Sequence, residues 1–212
     1  MDIISNYKDL SLEKYMQLRE IISQEYEEEV DFQVKVISVL ADIDEDAVLH
    51  LPIDTFMECC RKARFLDTEP DGVRRRPAKE YTLGSFTLVP VTDLRKVTTG
   101  QYIDFQSFLK GGESKLVELL SCLLVPKGKE YCEGYDIIEV QKAIAVHLSV
   151  TEASALFAFF LRSLTASTRA TLNYLKRRAA KVKDQKARKA MTEAVDKALA
   201  MYSGSGGDGR RM

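Results

Sequence analysis

The residues best equipped for chemistry in this chain are four cysteines, two histidines and a run of acids. A zinc site would need His or Cys ligands in paired, reachable spacing. Cys59 and Cys60 are neighbours in a helical segment, so their side chains point about 100° apart and do not share one ion easily. Cys122 falls among leucines and reads as core, while Cys132 stands alone. His50 and His147 are isolated, each beside a leucine. Asp42, Asp44 and Asp46 begin like a calcium loop, but that loop needs Gly at its sixth position and Glu at its twelfth. Ala47 and Ile53 occupy those places, so the acids read as the approach to a helix.

Nucleotide and nucleophile signatures fail in the same way. Gly204, Gly206 and Gly209 have the G-x-G-x-x-G spacing, but they follow a helical segment and are not framed by a strand and a helix. Lys110 to Lys115 lacks the order of a phosphate loop, and G-x-S-x-G is absent. The sequence therefore predicts a protein that is not an enzyme, with no catalytic residue, no cofactor and no metal.

Charge is the more informative property. The chain of 212 residues has a net charge of −1, which conceals a strong division. Residues 1–60 hold 15 Asp/Glu against 4 Lys/Arg, and residues 169–212 hold 12 Lys/Arg against 4 Asp/Glu. Such polarity fits a basic arm for nucleic acid, attraction between copies, or two solvated faces. With 45% hydrophobic residues the chain is apolar enough to build a core. Unframed cysteines point to a reducing compartment. The N-terminus has early acids and no apolar run, unlike a signal peptide. The longest apolar stretch, Ala153 to Leu161, is too short to span a bilayer, so no membrane partner is expected.

Helix signals dominate. Ser11 is placed to cap a first helix, with Leu10 and Tyr15 as a staple across its start and Tyr15, Leu18, Ile22 and Tyr26 at helical spacing. The acids Glu25 to Asp31 cover a break before a helix bearing Phe32, Val36, Val39, Leu40 and Ile43. A short helix after Asp44 and another after Pro52 complete an acidic helical unit over 1–66. Residues 67–92 read as a linker, with Arg74, Arg75 and Arg76, followed by a β-hairpin over Tyr81 to Val91 that turns at Gly84, with Pro90 marking an edge.

From 93 to 178 the spacing predicts a helical bundle. Capping-box pairs stand at Thr98 and Gln101, at Asp136 and Glu139, and at Ser149 and Glu152. Leu116, Leu119, Leu120, Leu123 and Leu124 keep the helical period up to Pro126. The last box opens a long helix with Phe157, Phe160, Leu161, Leu164, Leu172 and Leu175.

Residues 179–202 change character, being rich in Ala and Lys with a thin apolar stripe. High propensity with little to bury predicts a projecting helix that awaits a partner. Lys181, Lys183, Lys186 and Lys189 on its basic face, with Met191, Val195 and Leu199 on its apolar one, are the expected partner-binding residues. No aromatic lies between Tyr174 and Tyr202 to stack on bases, which favours a protein partner over nucleic acid. Residues 203–212 form a Gly/Ser-rich tail, flexible by composition. The expected fold is mostly α: a multi-helix bundle with one small β-hairpin and a long, partly projecting C-terminal helix.

Two passages carry a family resemblance. Val48-Leu-His-Leu-Pro-Ile-Asp-Thr-Phe56, leading to Phe65-Leu66, resembles the N-terminal part of small tailed-phage proteins. Leu94 to Phe105, the leucine helix to Pro126, Tyr135-Asp136 and Phe157 to Leu161 are similar to proteins from structural gene modules of phages infecting Bacteroidales. The resemblance spans about residues 35–175. It implies a helical, non-enzymatic virion-assembly protein, first of all a tail-assembly chaperone that holds tape-measure or tail-tube proteins in the host cytoplasm. A minor virion or connector protein is the alternative within that class, and a nucleic-acid-associated protein using the basic helix the alternative outside it. Homo-oligomers are compatible with each. The family offers no catalytic motif, so no site residue is carried over.

Overall fold

The structure, a computed structural model, describes residues 1–70, 76–93, 96–181 and 185–204. It is mostly α, 65% helical, with a small three-stranded antiparallel sheet. The chain falls into two compact units, Met1–Phe159 and Phe160–Met212.

In the first unit, α1 (Leu12–Ile22) starts where Ser11 Oγ accepts from the Lys14 amide at 3.4 Å. Then come α2 (Glu29–Ala41), α3 (Glu45–Leu49) and α4 (Ile53–Ala63), which runs on into a 3-10 turn over Arg64–Asp67. Asp42 ends α2 in the left-handed region and forms an ion pair with Lys14 at 3.3 Å. Two apolar clusters hold these helices together. Leu10, Leu18, Val36, Leu40 and Val150 form one, with Tyr15 and Phe65 packed against it. Val34, Ile37, Val48 and Cys59 form the other. Ile22, expected on the inner face of α1, is 42% exposed, because it sits in the last turn beyond the Leu18 layer.

Strand β1 (Tyr81–Leu83) pairs with β2 (Phe86–Pro90) through a turn at Gly84, as the hairpin pattern requires. Gly84 has φ +58°, and a Cβ there would come within 3.1 Å of His147 Nε2, so glycine meets both a conformational and a steric demand. The sheet has a third strand, β3 (Leu124–Pro126), which pairs with β2. Two expectations are corrected here. Leu124 leaves the leucine helix for β3, and Pro90 lies on the central strand. Pro90 sits at the C-terminal end of β2, where the next amide, Val91 N–H, donates to Leu123 O at 2.9 Å.

Helices α5 (Thr99–Lys110), α6 (Leu116–Leu123) and α7 (Ile137–His147) pack around the buried Leu119, Leu120, Val140 and Ile144. Helix α8 (Val150–Ala179) follows. Two of the three capping boxes form. Thr98 and Gln101 cap each other reciprocally, and so do Ser149 and Glu152. At the Asp136 box the short carboxylate instead accepts from Ile138 N–H at 2.8 Å, and Lys142 takes up Glu139 at 2.8 Å.

Residues 1–66 and the bundle after 93 belong to one unit, because backbone bonds tie them: Val150 N–H donates to Leu10 O at 2.9 Å and Leu12 N–H to Leu148 O at 3.1 Å. The last two-thirds of α8 fall in the second unit with α9 (Gln185–Gly204).

Candidate functional site

The cysteine, histidine and acid positions come first, since their side chains could do chemistry. Cys122 is fully buried, with Sγ 3.4 Å from Tyr131 Oη, which donates in turn to Asp104 Oδ2 at 3.1 Å. Gln101 Nε2 donates to the Cys122 carbonyl, and Gln141 Nε2 to Ser121 Oγ at 3.1 Å. Burial pushes the Cys122 thiol up to about 11 and raises Tyr131 as well. A thiol held neutral is a poor nucleophile, so this network serves to join α5, α6 and the segment after β3. It was not anticipated from sequence; polar residues 9 to 27 positions apart carry no local spacing signal.

Cys59 is buried, whereas Cys60 contacts Gln33 Oε1 at 3.5 Å with a raised pKa caused first by burial. Cys132 is exposed. His50 Nδ1 lies 2.6 Å from the Asp46 carbonyl oxygen, and His147 stands beside Gly84. Among the described residues no group of three or more His, Cys, Asp and Glu is placed to hold a metal ion.

What the first unit does present is an apolar surface. Ile53 and Met57, one turn apart on α4, are 71% and 59% exposed, and Leu49 at the end of α3 is 64% exposed. The origin is local. Helix α4 is strongly amphipathic and turns Cys59 inward, so the opposite side should be polar, yet it carries Ile53 and Met57. Met57 also lines a groove of about 850 Å³ between α2 and α4, floored by Phe32, Val36 and Ile37. Its rim carries Glu29, Glu58 and Asp67 together with Arg61 and Arg64. Glu58 pairs with Lys62 at 2.9 Å, a hydrogen bond that lowers its pKa. Ile22 also lines the groove. Periodicity could have flagged this face, because Ile53 and Met57 stand off the Phe56–Cys59–Ala63 stripe.

In the second unit Lys176 of α8 and Asp196 of α9 form an ion pair. Of the expected partner-binding residues, Lys181 and Lys189 are exposed and Met191 is 41% exposed. Val195 is only 8% exposed, so it is occupied within the fold rather than displayed. Lys183 lies outside the described residues, as do the side chains of Lys186 and Leu199. Exposed groups also crowd the end of α8: Tyr174 at 57%, Leu175 at 38%, and Arg178 with its guanidinium 5.9 Å from the Tyr174 ring centre.

No described helix is long and apolar enough to cross a membrane. Neither a protein family, nor a curated protein, nor a solved structure matches the chain.

Proposed function

We propose that the protein is a non-enzymatic virion-assembly factor of a tailed phage, acting as a tail-assembly chaperone that holds a tape-measure or tail-tube protein before assembly. The observation that supports this reading best is the exposure of Leu49, Ile53 and Met57, the last of which lines the apolar α2–α4 groove. An apolar floor with a charged rim suits an amphipathic helix laid into it, with the floor supplying affinity and the rim register. Tape-measure proteins, long and helical, offer such segments. The resemblance of residues 35–175 to phage structural-module proteins points the same way.

Co-expression with the tape-measure and tail-tube proteins encoded by the same phage tests it. The chain should keep one of them soluble and co-purify with it, and Ile53→Glu with Met57→Glu should abolish capture while leaving the helical signal unchanged. Tail proteins that stay insoluble in the presence of the folded chain would refute the proposal.

A further inference from the structure

We infer that the basic face of α8 in the second unit binds double-stranded nucleic acid through its phosphates, without reading base sequence. Residues 153–183 hold seven Lys/Arg and no Asp/Glu. Within α8, therefore, no cation after Glu152 has an acid one turn away to neutralise it, and the helix surface stays positive. Arg169, Asn173, Lys176 and Arg177 stand at i, i+4, i+7 and i+8, which places them on one face, and all four are exposed. Lys181, also exposed, follows in the turn after the helix. At 1.5 Å per residue Arg169 and Arg177 are about 12 Å apart along the axis, a span of roughly three to four phosphates of one strand.

The composition of this face selects the partner. Its other exposed positions, Ala166, Ala170 and Ala180, are small. Protein interfaces draw affinity from apolar anchors buried at their centre, and this face has no exposed apolar side chain larger than Ala. Contacts to a nucleic-acid backbone come from Arg, Lys and amide side chains and need no such anchor. Tyr174 and Leu175 fall off the face by the 3.6-residue period, and the Tyr174 ring lies 5.9 Å from the Arg178 guanidinium. Single strands are gripped by aromatics on which bases stack, whereas duplex phosphates require none, so the face suits a duplex. Asp196 pairs with Lys176 and partly neutralises it, which leaves Arg169, Arg177 and Lys181 as the main source of attraction. This reading uses no residue of the α2–α4 groove and stands whether or not that groove holds a tail protein.

Fluorescence anisotropy of the full-length protein with short labelled duplexes of DNA and of RNA, and with single-stranded DNA of the same length, is the test. Wild type should bind a duplex at about 50 mM NaCl and weaken by roughly 50- to 150-fold by about 200 mM, the slope of roughly three to four phosphate contacts. Binding of either duplex supports the inference, and the comparison decides which nucleic acid it is. Arg169→Gln combined with Arg177→Gln should lower affinity by roughly tenfold and cut the salt slope by about 2, with an unchanged circular dichroism spectrum. Arg169→Lys combined with Arg177→Lys should keep the slope, since the charges remain. Lys8→Gln, in the first unit, should change neither affinity nor slope. No binding of either duplex at low salt, or a glutamine pair that binds as wild type does, would overturn the inference. So would a single strand bound more tightly than the duplex, or polyglutamate that displaces the duplex at equal charge concentration, because an acidic protein would then be the partner.

Discussion

The amide of Val150, at the start of α8, donates to the carbonyl of Leu10, just ahead of α1, across 140 positions of sequence at 2.9 Å. Both side chains are buried in one apolar cluster, at 2% and 0% exposure. The acidic N-terminal helices, α5 to α7 and the first turns of α8 thereby share one compact unit. Leu10→Ala should cost about 2–5 kcal/mol, as burial of a leucine implies. Amide exchange should then quicken in α1 and α7 together. Faster exchange confined to residues 1–66 would show two independent domains.

Gly84 supports a second expectation. Its φ of +58° and the proximity of His147 Nε2 both oppose a Cβ. Gly84→Ala should cost about 2–4 kcal/mol in urea unfolding, more than the roughly 1–2 kcal/mol of the left-handed backbone alone. His147→Ala in the same background should recover part of that loss. No recovery would mean that backbone strain is the whole effect.

Cys122 sets a pH dependence. Its folded pKa of about 11 lies above that of the unfolded thiol. The unfolded chain therefore gives up this proton first, and the stabilising contribution, full at neutral pH, fades as pH rises through 9 to 11. Tyr131, raised in the same network, acts in the same direction at still higher pH. Denaturant midpoints should fall more steeply above pH 9 in wild type than in Cys122→Ala. Parallel curves would contradict the burial argument. At pH 8 iodoacetamide should label exposed Cys132 in the native protein and leave Cys122 untouched until unfolding.

Much of the architecture was legible in the chain. The period of Leu116 to Leu123, the Thr98 and Ser149 boxes and the Gly84 turn are local patterns, and local patterns are what hydrogen bonds between near neighbours impose. What sequence concealed depends on distant partners. Leu124 continues the helical period, yet β2 supplies ladder bonds that draw it into β3. Likewise Val195 reads as part of an open stripe in the sequence, yet it is 8% exposed, a burial that the local pattern of α9 does not encode. The charge division was plain from composition. Ile53 and Met57 stand off the inner stripe of α4 by their spacing, but that Met57 borders a groove on α2 follows only from the packing.

The second unit provides a contrast within one helix. Val195→Asp buries a charge and should loosen the α8–α9 pair, seen as lost helical signal and faster exchange of α9. Met191→Ala, at a site 41% exposed, should shift stability by less than about 0.5 kcal/mol. Equal effects of the two changes would mean that α9 presents its stripe outward, as its composition alone implied.

The claim that matters most is that the α4 ridge holds a tail protein, and photo-crosslinking during infection addresses it most directly. A photoreactive phenylalanine analogue at position 57, exposed beside the groove, would be irradiated in infected cells and its adducts identified by mass spectrometry. The account predicts adducts to a tape-measure or tail-tube protein, and none of them when the analogue replaces Lys8. Adducts only to itself, to nucleic acid or to proteins unrelated to the tail would contradict it.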